Sequence, residues 1–177
     1  MIDVRDLRVR DVMTACPQTV TVDTPIADAY ALLVEARLSG LPIVDGEGRV
    51  QGLFSLSDLA TELAPVLHPE SDGDPGALGA LKARQVGSRI EHLVIVGPDE
   101  PLVAACQRMV RGHARKVVVV EGDRPIGVVS AVDVARAVAA LGFGPPDLTP
   151  TDLTVPLEAA AARPAFSASR APAASRP

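Results

Sequence analysis

Gly52-Leu53-Phe54-Ser55-Leu56-Ser57-Asp58 and Gly127-Val128-Val129-Ser130-Ala131-Val132-Asp133 are one phrase written twice. In each, a glycine and two apolar residues lead to a serine, and an aspartate follows three positions later. A short apolar run ending in Ser-x-x-Asp predicts a buried strand that turns directly into a helix. The hydroxyl and the carboxylate satisfy N–H groups that the first helical turn leaves without partners. Working outward, the preceding signals recur as well. Leu41-Pro42-Ile43-Val44 and Val117-Val118-Val119-Val120 are short apolar runs, followed by the hairpin-turn residues Asp45-Gly46-Glu47-Gly48 and Glu121-Gly122-Asp123. Asp23-Thr24-Pro25 and Asp99-Glu100-Pro101 predict helix starts with acidic or hydroxyl side chains as caps. Ile26, Ala29, Tyr30 and Leu33 then recur at helical spacing, as do Leu102, Ala105, Cys106 and Met109. The stretches Thr19-Val20-Thr21-Val22 and Leu93-Val94-Ile95-Val96 open the two units.

The order in each copy is therefore β-α-β-β-α, with one residue fewer in the second turn. A single hairpin with a one-sided helix exposes too much apolar surface to stand alone, so two copies packed face to face are the expected solution. The chain divides into a first repeat over 1–67, a connector over 68–82, a second repeat over 83–143 and a tail over 144–177. The connector is rich in Pro, Gly and Asp, as in His68-Pro69-Glu70-Ser71-Asp72-Gly73-Asp74-Pro75-Gly76. The tail holds 7 of the 16 prolines among many Ala and Ser, a composition expected to stay disordered.

Composition narrows the function. Hydrophobic residues make up 47% of the 177 and aromatics 2%, so the core must be aliphatic, as α/β packing favours. The formal charge of -5 argues against a broad surface for nucleic acid or anionic lipid. The tail balances Asp147, Asp152 and Glu158 with Arg163, Arg170 and Arg176, which leaves the acidic excess on the folded part. Cys16 and Cys106 have no partner at metal or redox spacing and read as small apolar residues. Neither a signal peptide nor an apolar run long enough to span a membrane is present, so a soluble cytoplasmic protein is expected. His68, His92 and His113 are scattered and lack zinc-type spacing. With no nucleophile elbow, P-loop or dinucleotide fingerprint, no catalytic residue and no enzymatic activity are expected.

The order of signals resembles the cystathionine-β-synthase (CBS) domain family, over nearly all of residues 9 to 142. The first copy carries Val9-Arg10-Asp11-Val12-Met13-Thr14, Pro17, Thr19-Val20, Asp23-Thr24-Pro25, Leu41-Pro42-Ile43-Val44-Asp45, Gly52 and Ser55-Leu56-Ser57-Asp58. The second departs in three places. Arg84-Gln85-Val86-Gly87 replaces the Asp-Val-Met segment, Val118 replaces the strand proline, and Val132 stands where Ser57 stands.

This resemblance implies an α/β (α+β) fold of two repeats with pseudo-twofold symmetry, a Bateman-type module with two clefts for adenosine-containing ligands. AMP, ADP, ATP and S-adenosylmethionine are the implied ligands, and no cofactor is required. The likeness assigns binding to Ser55, Ser57 and Asp58, and to Ser130 and Asp133. A carboxylate accepts hydrogen bonds from both ribose hydroxyls, while a serine at a helix start suits a phosphate. Thr19, Val20, Leu41 and Pro42, with Ile95, Val96 and Val117, would supply an apolar slot and backbone groups for the adenine. Arg115 and Lys116 stand where the family places phosphate-binding cations, a position held by Ser39 and Gly40 in the first copy. Their cleft is expected to take the more highly phosphorylated ligand. Capping alone would also explain the Ser-x-x-Asp pairs, and the two roles are compatible. The family further implies a homodimer and a regulated partner protein, with no nucleic acid and no membrane insertion. A ligand-free interaction scaffold is the alternative.

Overall fold

The computed structural model describes residues 4–15, 18–66 and 80–142. The tail, Cys16, His68 and most of the expected connector lie outside the described residues. Eight strands run in chain order as β1 (Thr14–Ala15), β2 (Val20–Thr21), β3 (Gly40–Val44), β4 (Val50–Ser55), β5 (Ser88–Arg89), β6 (Val94–Val96), β7 (Lys116–Glu121) and β8 (Arg124–Ser130). The helices are α1 (Ile26–Glu35), α2 (Leu56–Val66), α3 (Ala83–Val86), α4 (Leu102–Arg111) and α5 (Ala131–Ala140).

Each repeat builds the expected core of strand, helix, hairpin and helix. In the first, β2 lies parallel to β3 and β3 antiparallel to β4. In the second, β6 lies parallel to β7 and β7 antiparallel to β8. The shorter second turn closes on Gly122 at φ 62, which suits a two-residue hairpin loop that opens on glycine.

The fourth strand of each sheet comes from the other repeat. The sheet orders are β2-β3-β4-β5 and β1-β8-β7-β6, so β1 joins the second repeat and β5 joins the first. Thr14 pairs with Val128, and Ser88 pairs with Leu53. The segments leading into these strands are exchanged too. Val9 N–H donates to the Glu100 carbonyl and Ala83 N–H to the Thr24 carbonyl. Packing follows the exchange. Val9 is buried among Val94, Val96, Met109 and Val129, whereas Ala83 and Val86 are buried among Val20, Ile26 and Phe54. Surface ion pairs echo it as well, with Arg10 on Asp99 and Arg84 on Asp23.

The exchange corrects the expected helix caps. Pro25 and Pro101 are themselves the capping residues of α1 and α4, and neither helix has a side-chain cap. The Ile26 N–H instead reaches the Leu81 carbonyl and the Leu102 N–H the Leu7 carbonyl, both from the opposite repeat's arm. Thr24 Oγ1 serves a local turn, accepting from the Thr21 N–H.

Strand alternation then divides the core into three. Val117 and Val119 of β7 face α4 with Ala105 and Met109. Leu41 and Ile43 of β3 face α1 with Ala29 and Leu33. Between the sheets, Val50 and Leu53 meet Val118 and Val128. Burying each of these aliphatic side chains contributes about 1.5–3 kcal/mol. The sheets are also tied by a hydrogen bond from Val50 N–H to the Asp123 carbonyl.

Candidate functional site

Where the two sheets diverge, a cleft of about 880 Å³ opens between the repeats. One wall is the end of β4 and the start of α2, with Leu53, Ser55, Ser57, Asp58 and Thr61. The opposite wall comes from the second repeat, with His92, Leu93, His113, Arg115 and Lys116. Ser88 on the exchanged strand β5 stands between them.

Local folding explains each placement. At the end of β4 the chain enters α2 without a connecting loop, which leaves Ser55 and Asp58 on the first turn. Ser55 Oγ donates to Asp58 Oδ2 at 2.7 Å, and Ser88 Oγ donates to Asp58 Oδ1 at 3.3 Å. The carboxylate is thus positioned by a hydroxyl from each repeat. His113 is held at φ 50, a backbone conformation that L residues rarely adopt. Two hydrogen bonds stabilise it at the end of α4, from Ala114 N–H to the Met109 carbonyl and from His113 N–H to the Val110 carbonyl. That reversal turns the chain sharply and delivers Arg115 and Lys116 to the cleft. Burial pushes the Lys116 ammonium below its ordinary value. The charge of Asp58 opposes that shift, and neighbouring Arg115 adds to it.

A cleft with these groups can accept hydrogen bonds from a vicinal diol at Asp58 and place an anionic group near Arg115 and Lys116. Of the residues singled out from the sequence, Ser55, Ser57, Asp58, Arg115 and Lys116 come together here. Ser130 and Asp133 lie elsewhere, at the start of α5, and both are buried. Asp133 Oδ2 accepts from the Ser130 N–H at 2.7 Å and from Ser130 Oγ at 2.5 Å, while Asp133 N–H donates back to Ser130 Oγ at 3.3 Å. Arg136 stands 3.6 Å from Asp133 Oδ1. This pair makes a complete capping box. In the first repeat, Ser39 and Gly40 hold the chain positions that Arg115 and Lys116 hold in the second, and Gly40 pairs with Ser55.

The side chains named for the adenine lie outside the lining of this cleft. Val20 and Leu41 belong to the core against α1, and Val96 and Val117 to the core against α4. None of these four side chains lines the cleft, and neither do those of Thr19, Pro42 and Ile95. For Val117 alternation is the reason: Lys116 faces the cleft, so its neighbour faces the helix. His92, His113 and Ser88 were not singled out as site residues by the sequence. Ser88 lies on the two-residue strand β5, and His92 and His113 lie on the segments that lead into β6 and β7. Among the described residues, no group of three metal-ligating side chains forms. None of the described helices is long and apolar enough to cross a membrane. Cys106 is partly buried on α4, and burial pushes its thiol up.

Two exchanged β-α-β-β-α units around one cleft can be compared with known proteins. A family model described as the CBS domain matches this chain twice, at residues 9–65 and 84–140. The chain belongs to the CBS domain family. Its fold is that of solved CBS domain pairs. The pair of protein MJ0100, in complex with 5′-methylthioadenosine and S-adenosyl-L-methionine, is similar with a TM-score of 0.63 at 23% identity, covering 76% of this chain and 98% of that one. CBSX2 in complex with AMP is similar with a TM-score of 0.58 at 23% identity, covering 76% of this chain and 98% of that one. Among curated relatives, the 5′-AMP-activated protein kinase subunit gamma-3 of Sus scrofa is 32% identical over 114 residues, which is 64% of this chain and 21% of that protein. The chain spans about a third or less of the length of the curated relatives it matches.

Proposed function

We propose that this CBS pair is a regulatory module that binds an adenine nucleotide or another adenosyl ligand in the cleft between its repeats. One observation carries the reading: Ser55 and Asp58 of one repeat and Arg115 and Lys116 of the other line the same cleft. Asp58 would hold the ribose hydroxyls and the cations would face the phosphates. The solved pairs with 5′-methylthioadenosine, S-adenosyl-L-methionine or AMP support this choice of ligand class. The cleft that holds Arg115 and Lys116 takes the more phosphorylated ligand. No catalytic step is assigned. Ligand shifts the balance between two arrangements of the repeats by binding one of them better, and a cytoplasmic partner protein reads the change.

A titration panel tests it. AMP, ADP, ATP or S-adenosylmethionine should raise the melting temperature of the wild type, and Asp58→Ala should reduce the shift. If none of the four moves the transition, the nucleotide reading is wrong.

A second reading is favoured by exposed apolar side chains on two helices. Tyr30 and Val34 on α1, with Val103 and Val110 on α4, remain exposed, Val110 at 75%. On this reading the module is a homodimeric scaffold that docks without a ligand. Light scattering that reports a monomer for both wild type and Val110→Glu would remove it.

A further inference from the structure

Gly40 and Lys116 hold the same place in their repeats, as the first residues of β3 and β7. Gly40 pairs with Ser55, and Lys116 with Ser130. Their chain neighbours Leu41 and Val117 face the helices, so positions 40 and 116 both face the space between the sheets. Matched positions beside a twofold axis point at each other, and two long side chains would compete for one space. Here one of the two has no side chain. A Cβ built on Gly40 would lie 3.4 Å from Lys116 Cδ and 3.3 Å from Leu53 Cδ1. The lysine stem therefore lies in van der Waals contact with the place of a Cβ at 40, so a side chain longer than alanine there would compete with it. Its ammonium is carried towards the first repeat, where Lys116 lines the cleft beside Ser55 and Asp58.

We infer that Gly40 determines the specificity of this cleft: its empty place seats the Lys116 stem across the pseudo-twofold axis and aims the ammonium at the phosphates of a bound nucleotide. The inference rests on the nucleotide reading above and goes beyond it. It assigns preference for a phosphorylated over an uncharged adenosine ligand to a glycine at the seat of the lysine. It also makes the two ends of the module unequal, because the one cation from this position goes to the Asp58 cleft and Gly40 can offer none to the Asp133 end. A partly buried ammonium attracts an anion more strongly than one in open solvent, since it is less screened. Burial as the main cause of the lowered Lys116 value agrees with a seated stem.

The experiment titrates ADP and adenosine by calorimetry into the full chain, as wild type, Lys116→Met, Gly40→Val and the double variant. Wild type should prefer ADP, and Lys116→Met should lower the ratio of ADP to adenosine affinity about tenfold, as loss of a charged hydrogen bond implies. Gly40→Val should lower it to a similar extent with adenosine affinity kept, and the double variant should be no worse than either alone. A Gly40→Val protein that melts normally, binds adenosine and retains the full ADP preference overturns the inference. Should Gly40→Val not fold, Gly40→Ser replaces it, read by the Lys116 Cε signal in carbon NMR. Its titration midpoint should rise towards that of an ordinary lysine while the ADP preference falls, and an unchanged midpoint and preference overturn the inference. Equal affinity of wild type for ADP and adenosine removes this inference and leaves the nucleotide reading standing. Binding of neither removes both.

Discussion

Asp58 and Asp133 hold the same station in their repeats, yet their surroundings differ. Asp58 takes one hydrogen bond from Ser55 and one from Ser88 of the other repeat, and it faces a cleft with cations on its far wall. Asp133 takes both hydrogen bonds to one oxygen from Ser130 and keeps its other oxygen towards Arg136 on its own helix. One motif thus stands in two different settings. A capping box only needs its own first turn, whereas a ligand site also needs what the opposite repeat brings to it.

The largest expected effect separates the two cores. Phe54 and Val129 are equivalent and fully buried. Phe54→Ala should cost about 3–5 kcal/mol in denaturant titration, and Val129→Ala about 2 kcal/mol. Equal losses would mean that the cores are less distinct than their side chains. The aspartates come next. Asp133→Ala should lower stability by about 1–2 kcal/mol through loss of the cap, and nucleotide affinity should change little. Asp58→Ala should do the reverse, weakening binding by about tenfold or more. A swap of these outcomes would move the ligand to the other end of the module.

Acid should loosen the first hairpin selectively. Hydrogen bonds from the Arg49 backbone and side chain and from the Glu47 N–H hold the Asp45 carboxyl down to about 2, from an ordinary 3.8. Because the folded value is depressed, the stabilisation is fully present above about 4 and is lost as pH falls from there through about 2. Carboxyl carbon NMR should place the Asp45 midpoint near 2. A midpoint near 4 would contradict this turn geometry. The smallest effect belongs to the matched surface pairs. Arg10→Ala and Arg84→Ala should each cost less than about 1 kcal/mol, since exposed ion pairs contribute little. A larger loss at either would show that the arms lean on their charges more than on Val9 and Ala83.

Local order carried much of the fold into the sequence. Helical spacing marked α1 and α4, turn residues marked both hairpins, and Ser-x-x-Asp marked the strand-to-helix junctions. The exchange was illegible because β1 and β5 are two residues long, too short for any periodicity, and their partners lie far along the chain. It also explains why Thr24 and Glu100 do not cap the helices that follow: carbonyls of Leu81 and Leu7 arrive from the other repeat. The site was half legible. Ser55, Asp58, Arg115 and Lys116 were marked by the family resemblance, but which carboxylate meets which cation depends on how the sheets face each other. Parity limits what the side chains named for the adenine can share with the cations, since adjacent strand residues such as Lys116 and Val117 cannot both turn their side chains into one space.

Trading strands has a consequence for how the molecule is made. Thr14 leaves the ribosome well before its partner Val128, which emerges only after nearly the whole of the two repeats has been synthesised. The first repeat must likewise wait for Ser88 before its sheet is finished. During translation the amino-terminal arm is an unpaired edge, and in a crowded polysome the nearest free β8 could belong to another nascent copy. The trade that binds the halves of one chain together is thus also a route to swapped oligomers.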